Sequence, residues 1–150
     1  MKPYKQFKPF QIRWAERMGA NKERPYLIRW TLIFFNYSIR LHHWLGSDED
    51  RAFHDHPWNF ISILLKGSYA NVTPSGRTEV SAPFAWCSRA TDRHYLDIPK
   101  SGAWTILLCG RPYHKWEFYV KGRKMRPLRF FHRYKGAAAN KNPVANVTVI

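Results

Sequence analysis

Arg51-Ala52-Phe53-His54-Asp55-His56-Pro57-Trp58 is the stretch on which the reading of this chain turns. His54 and His56 are two residues apart. On a strand, side chains at i and i+2 point to the same face, so the two imidazoles stand side by side on a rigid support. Such a pair can ligate one metal ion from pre-set positions. Pro57 has no backbone N–H and ends regular pairing just after the second histidine. A third ligand must come from elsewhere, and His94, in Asp92-Arg93-His94-Tyr95-Leu96, is the best candidate. The alternative is a pair of surface histidines, since His-x-His also arises by chance. Asp55 points to the opposite strand face and reads as a solvated or salt-bridged acid, paired with Arg51, rather than as a ligand.

The flanking sequence is strand-like on both sides. Candidates are Tyr26 to Asn36, Ser38 to Leu45, Ala52 to His56, Phe60 to Lys66, Tyr69 to Thr73, Arg77 to Ser81, Trp86 to Ser88, His94 to Ile98, Ala103 to Cys109, Lys115 to Val120 and Leu128 to Tyr134. Pro74-Ser75-Gly76 is a hairpin turn signal. Many short strands at near-regular spacing, with Gly and Pro between them, predict an all-β sandwich or barrel and exclude alternating βαβ units. Pro9 to Met18 reads as a short N-terminal helix, with Ile12, Trp14 and Met18 apolar and Gly19 as its end. One domain is expected over residues 1–135, with its core at about 26–134. Residues 136–150 read as a loosely held tail.

Composition narrows the class. At 150 residues the chain suits one domain, and 45% hydrophobic and 17% aromatic residues exclude a disordered tail. No run approaches the roughly 20 apolar residues of a membrane-spanning helix. Met1-Lys2-Pro3-Tyr4-Lys5 opens no apolar signal region, so the chain is expected to work in the cytosol. Cys87 and Cys109, the only cysteines, then read as buried thiols rather than a disulfide. Lys and Arg number 25 against 10 Asp and Glu, a net charge of +15, which favours anionic ligands.

The constellation around His54 resembles the cupin superfamily. His-x-His, an apolar strand ending at Gly67, a turn, and a lone His some forty residues on follow that family's two motifs. His54 and His56 match the first-motif pair, His94 the second-motif histidine, Gly67 the glycine closing the first motif, and Pro83 the proline before His94. The match covers roughly Arg40 to Phe118. The resemblance implies a double-stranded β-helix, or jelly-roll barrel, holding a divalent ion: iron(II) foremost, with zinc, manganese or nickel as alternatives. It departs from the pattern at the family's Glu, which should fall at Phe60 or Ile61. The second motif also lacks its usual Gly and Asn. The set therefore looks like a three-His variant, as in the cysteine dioxygenase branch. A neutral three-His set leaves the full metal charge for an anionic substrate or O₂. Loss of the Glu equally suits a barrel that has lost its metal.

Two functional classes follow. In the first, His54, His56 and His94 hold the metal of an oxygenase-type enzyme acting on a small anionic substrate, and Tyr95, Arg93 and Arg111 position or protonate it. Arg40 is a further candidate, because an arginine in a barrel mouth clamps a carboxylate or phosphate bidentately. In the second, the chain binds nucleic acid through its basic ends; Lys121 to Lys135 interleaves cations with Phe130, Phe131 and Tyr134. A homodimer is a third expectation. Alternation along Ser38 to Leu45 puts one of His42 and His43 inside, read as a core histidine bonded to backbone. His114 is a weaker fourth ligand candidate, and His132 belongs to the basic surface.

Overall fold

The computed structural model describes residues 9–19, 22–47 and 52–134. Eleven strands and one helix follow in order: β1 (Phe10–Met18), β2 (Leu27–Phe34), β3 (Tyr37–Trp44), β4 (Phe53–His54), β5 (Phe60–Thr73), β6 (Gly76–Ser81), β7 (Phe84–Ser88), β8 (Tyr95–Asp97), β9 (Ala103–Cys109), β10 (Phe118–Val120), β11 (Arg123–Met125) and α1 (Pro127–Tyr134). Every strand pair is antiparallel. The main sheet runs β1-β2-β3-β9-β5-β6, with β7 and β8 also paired to β5, and a second sheet runs β11-β10-β4. This is an antiparallel jelly-roll barrel, as the strand spacing predicts.

Strand β5 is the spine. Its first half pairs with β9 and β7, and its second half with β6 and β8. The bend between them sits at Gly67, whose φ of 86° suits glycine, beside a register shift between Leu64 and Lys66. A Cβ there would strike the carbonyl oxygen of Gly102. The bend turns β5 around a core of Leu27, Trp44, Leu64, Tyr69, Val80, Leu96, Ile98 and Ala103. A smaller cluster of Ala52, Phe118, Val120 and Phe130 lies under the second sheet, where the Phe118 and Phe130 rings stack at 3.9 Å. An isolated bridge between His54 and His94 ties β4 to the segment entering β8.

Two expected elements change type. The N-terminal helix expected over Pro9 to Met18 is instead strand β1, paired to β2. A bulge between Arg13 and Glu16, with Ala15 at a φ of 47°, shifts its alternation and brings Met18 onto the core. The strand expected over Leu128 to Tyr134 is instead α1: Pro127 is pre-organised for the first helical position, and the turn delivers Phe130 to Phe118. Phe60 to Lys66 and Tyr69 to Thr73 are one continuous strand. The expected tail over residues 136–150 lies outside the described residues. Among those residues no helix is long and apolar enough to cross a membrane.

Candidate metal centre

His54, His56 and His94 converge. One ring nitrogen from each lies within 4.8 Å of the others. His54 comes from β4, His56 from the segment that β4 leads into, and His94 from the segment entering β8. The bridge N–H···O bonds between His54 and His94, 3.1 Å in both directions, fix their spacing. The His56 N–H donates to the Ala90 carbonyl at 2.9 Å and sets the third backbone.

Hydrogen bonds orient two of the three rings. His94 Nδ1 donates to Asn71 Oδ1 at 2.9 Å, and His54 Nδ1 donates to the Ala52 carbonyl at 3.2 Å. Each bond leaves Nε2 as the lone-pair atom, the arrangement that metal-binding histidines use. The His94 Nε2 lone pair accepts from His56 Nε2 at 2.8 Å. A cation bound by both Nε2 atoms takes the place of that one hydrogen and asks only for the other tautomer of His56. Ligands about 2.1 Å from one metal lie roughly 3.0–3.4 Å apart, close to the His56–His94 separation.

The surroundings keep His94 and His56 neutral. Burial pushes the His94 imidazole down to about 3 and holds His56 well below the usual histidine range, with neighbouring histidines adding to the effect. Neutral imidazoles offer lone pairs at pH 7 without first losing a proton. Phe60, Trp86 and Phe118 pack around the three rings at centroid distances of 4.9–5.6 Å. Phe60 occupies the inward position where the family's Glu would stand. Ile61 turns to the outer face. Among the described residues no carboxylate joins the cluster.

The other candidates are placed differently. Arg93 lies with its guanidinium 3.9 Å from the Tyr119 ring centroid, and it lines a cleft of about 390 Å³ shared with Asn71, Thr73, Trp86, Ser88 and His94. Tyr95 alternates away from His94 and packs on Phe53 at 5.3 Å. Arg111 is exposed, over Tyr37 at 5.1 Å, and does not line that cleft. His42 faces inward, as alternation requires, but neither ring nitrogen has a partner among the described residues, so it is not the backbone-bonded core histidine expected. His43 faces outward and stacks on Trp104 at 4.1 Å.

Asp55 is a paired acid and not a ligand, as expected, but its partners are not those the sequence suggested. It is 1% exposed, not solvated, and Arg51 lies outside the described residues. Its carboxylate accepts from the Glu117 backbone N–H at 2.6 Å, His114 Nε2 at 2.9 Å and the Tyr119 hydroxyl at 2.9 Å. These bonds clamp the His-x-His segment to the β10 region, and they place His114 on Asp55 rather than in the triad.

No family model and no curated protein matches the sequence. Solved structures do share its architecture. The iron(II) form of HppE superposes with a TM-score of 0.52 at 13% identity, covering 73% of this chain and 59% of that one. The chain thus spans under two thirds of that protein's length. The fold is the cupin fold. A sugar phosphate isomerase of the cupin superfamily from Silicibacter pomeroyi gives 0.46 at 10% identity, covering 61% of this chain and 64% of that one. A cupin-2 domain protein from Shewanella frigidimarina gives 0.44 at 12% identity, covering 69% and 80%. At these identities the likeness concerns the fold alone and does not single out the cysteine dioxygenase branch.

Proposed function

We propose that this chain is a metal-dependent cupin enzyme that holds a divalent ion through Nε2 of His54, His56 and His94 and acts on a small anionic substrate by oxygenase-type chemistry. The observation that carries the reading is the convergence of three imidazoles, two with their lone pairs already selected by Asn71 and the Ala52 carbonyl. Iron(II) is the favoured ion, and when bound it supplies Lewis acidity and one-electron chemistry toward O₂. The protein's own contributions are separable. Asn71 holds His94 in one tautomer. Phe60, Trp86 and Phe118 exclude water around the rings. Arg93, in the cleft beside His94, offers a cation to an incoming anion, while its face rests on Tyr119.

Elemental analysis of the purified full chain tests this. The reading requires close to one equivalent of a transition metal per chain, removable by a chelator, and its loss in His56→Ala. Unchanged metal content in His56→Ala refutes the ligand assignment.

A second reading rests on a different surface. Lys121, Arg123, Lys124, Arg126, Arg129 and Arg133 are exposed on β11, α1 and their connections. Of these, Lys124 approaches Glu117 at 3.8 Å. This patch suits a polyanion such as nucleic acid. The triad is the more specific feature, so the enzyme reading leads.

A further inference from the structure

The inner face of β2 and β3 carries a second polar group that the triad does not explain. Thr31 pairs with Arg40 across the two strands, and Arg29 pairs with His42. Same-face neighbours lie about 5 Å apart across strands and about 7 Å apart along them, so the four side chains form one compact block. Arg29 is engaged by Glu16 at 3.1 Å. The rest of the block has donors to spare. The Thr31 hydroxyl and both His42 ring nitrogens are buried with no partner among the described residues, as is the nearby indole N–H of Trp58.

Arg40 stands at the centre. Its Nε donates to Ser38 Oγ at 3.2 Å, and its guanidinium carbon lies 4.2 Å from the Trp58 ring centroid. Among the described residues no carboxylate pairs with it. Burial lowers its pKa to about 10, so it stays charged at neutral pH. The neighbouring Cys109 thiol is pushed up by burial and stays protonated, so it supplies no counter-charge. Arg40 is half-buried, and the Glu16 carboxylate acts on it without pairing with it; unpaired buried donors such as those of Thr31, His42 and Trp58 cost about 1–3 kcal/mol each. Such a group is stable when a small anion completes it.

We propose that Arg40, Thr31, His42 and the Trp58 indole N–H form an oxyanion-binding subsite beside the triad, which seats the carboxylate or phosphoryl head of the small substrate. Arg40 offers both terminal nitrogens as a bidentate fork, and the other three each donate one hydrogen bond. Trp58 follows His56 by two residues, and Arg40 and His42 both act electrostatically on His56. A molecule with its head on Arg40 therefore lies close to the metal ligands. The subsite deepens the proposed function and rests on it for what the other end of the ligand does.

The test uses the full-length chain labelled at the tryptophan indoles, titrated separately with inorganic phosphate and with acetate and read by NMR. The Trp58 resonance is assigned by its loss in Trp58→Phe. The subsite predicts a saturable Trp58 shift with one or both anions, weakened at least about tenfold in Arg40→Gln. The responding anion identifies the head group. No shift with either anion, or equal affinity in Arg40→Gln, overturns the proposal. If Arg40→Gln does not fold, Thr31→Val makes the same comparison, with a loss of about three- to tenfold expected and an unchanged affinity refuting the subsite. Cobalt(II) binding is measured on the same samples. Oxyanion binding without cobalt binding contradicts the metal reading and leaves the subsite standing; cobalt binding without oxyanion binding does the reverse.

Discussion

Asn71→Leu separates a designed metal site from a chance meeting of histidines. Asn71 sits on β5, and its Oδ1 accepts the Nδ1 hydrogen of His94 at 2.9 Å. Leucine has the same branched shape, is bulkier, and has no acceptor. His94 is 6% exposed, so its N–H is left unpaired or the ring adopts the other tautomer, which turns a hydrogen toward the metal position. A buried donor left unpaired costs about 1–3 kcal/mol. Loss of a group orienting a metal-bound histidine typically lowers metal affinity about 10–100-fold. The two figures agree, since tenfold corresponds to about 1.4 kcal/mol. The assay is a zinc(II) titration against a chromophoric chelator, with urea melts to show that the variant is folded. A folded Asn71→Leu protein with wild-type zinc affinity would show that the His94–Asn71 bond does not prepare a ligand.

Three further outcomes follow from the same structure. The metal-stripped protein should lose stability on acidification. His94 and His56 are held below the usual histidine value, so the unfolded chain takes up their protons first as pH falls below about 6.5; the loss continues toward pH 3, at up to about 1.4 kcal/mol per pH unit for each. Urea melts between pH 7 and 4 read this directly, and a flat profile contradicts the burial of the two rings. Gly67→Ala places a methyl group against the Gly102 carbonyl at a positive φ, and should lower stability by at least about 1–3 kcal/mol in urea melts. Neutralising Arg123, Lys124, Arg126 and Arg129 together should leave metal content unchanged; if the chain binds oligonucleotides, the same change should flatten the salt dependence of that binding.

Much of the barrel was legible because alternation is a local signal. Ala103 to Cys109 reads directly as β9, and Ser38 to Leu45 lies one residue from β3. The same alternation put one of His42 and His43 inside. The failures share a cause. In β1 Phe10, Ile12 and Trp14 alternate with Gln11 and Arg13 as a strand does, but all three are exposed, and the bulge at Ala15 ends that alternation before Met18 reaches the core. In α1 the aromatic run looks like a strand, yet among the described side chains it is Phe130 that is buried and anchors the segment. Asp55 reads correctly as a paired acid, but its partners His114, Glu117 and Tyr119 lie about sixty residues away, and no local pattern announces them. His54, His56 and His94 were legible for the opposite reason. Two share a strand face by spacing, and the third follows from the resemblance. The orphaned donors around Arg40 depend on pairing between strands and packing against Trp58, which composition does not carry.

The central claim is that three histidines bind one metal ion. The most direct measurement is anomalous diffraction from crystals of the full chain soaked in iron(II) or cobalt(II). One strong peak is expected about 2.0–2.3 Å from Nε2 of His54, His56 and His94, with His56 and His94 no longer sharing a hydrogen. A peak elsewhere, or none while the 2.8 Å His56–His94 hydrogen bond persists, would contradict it.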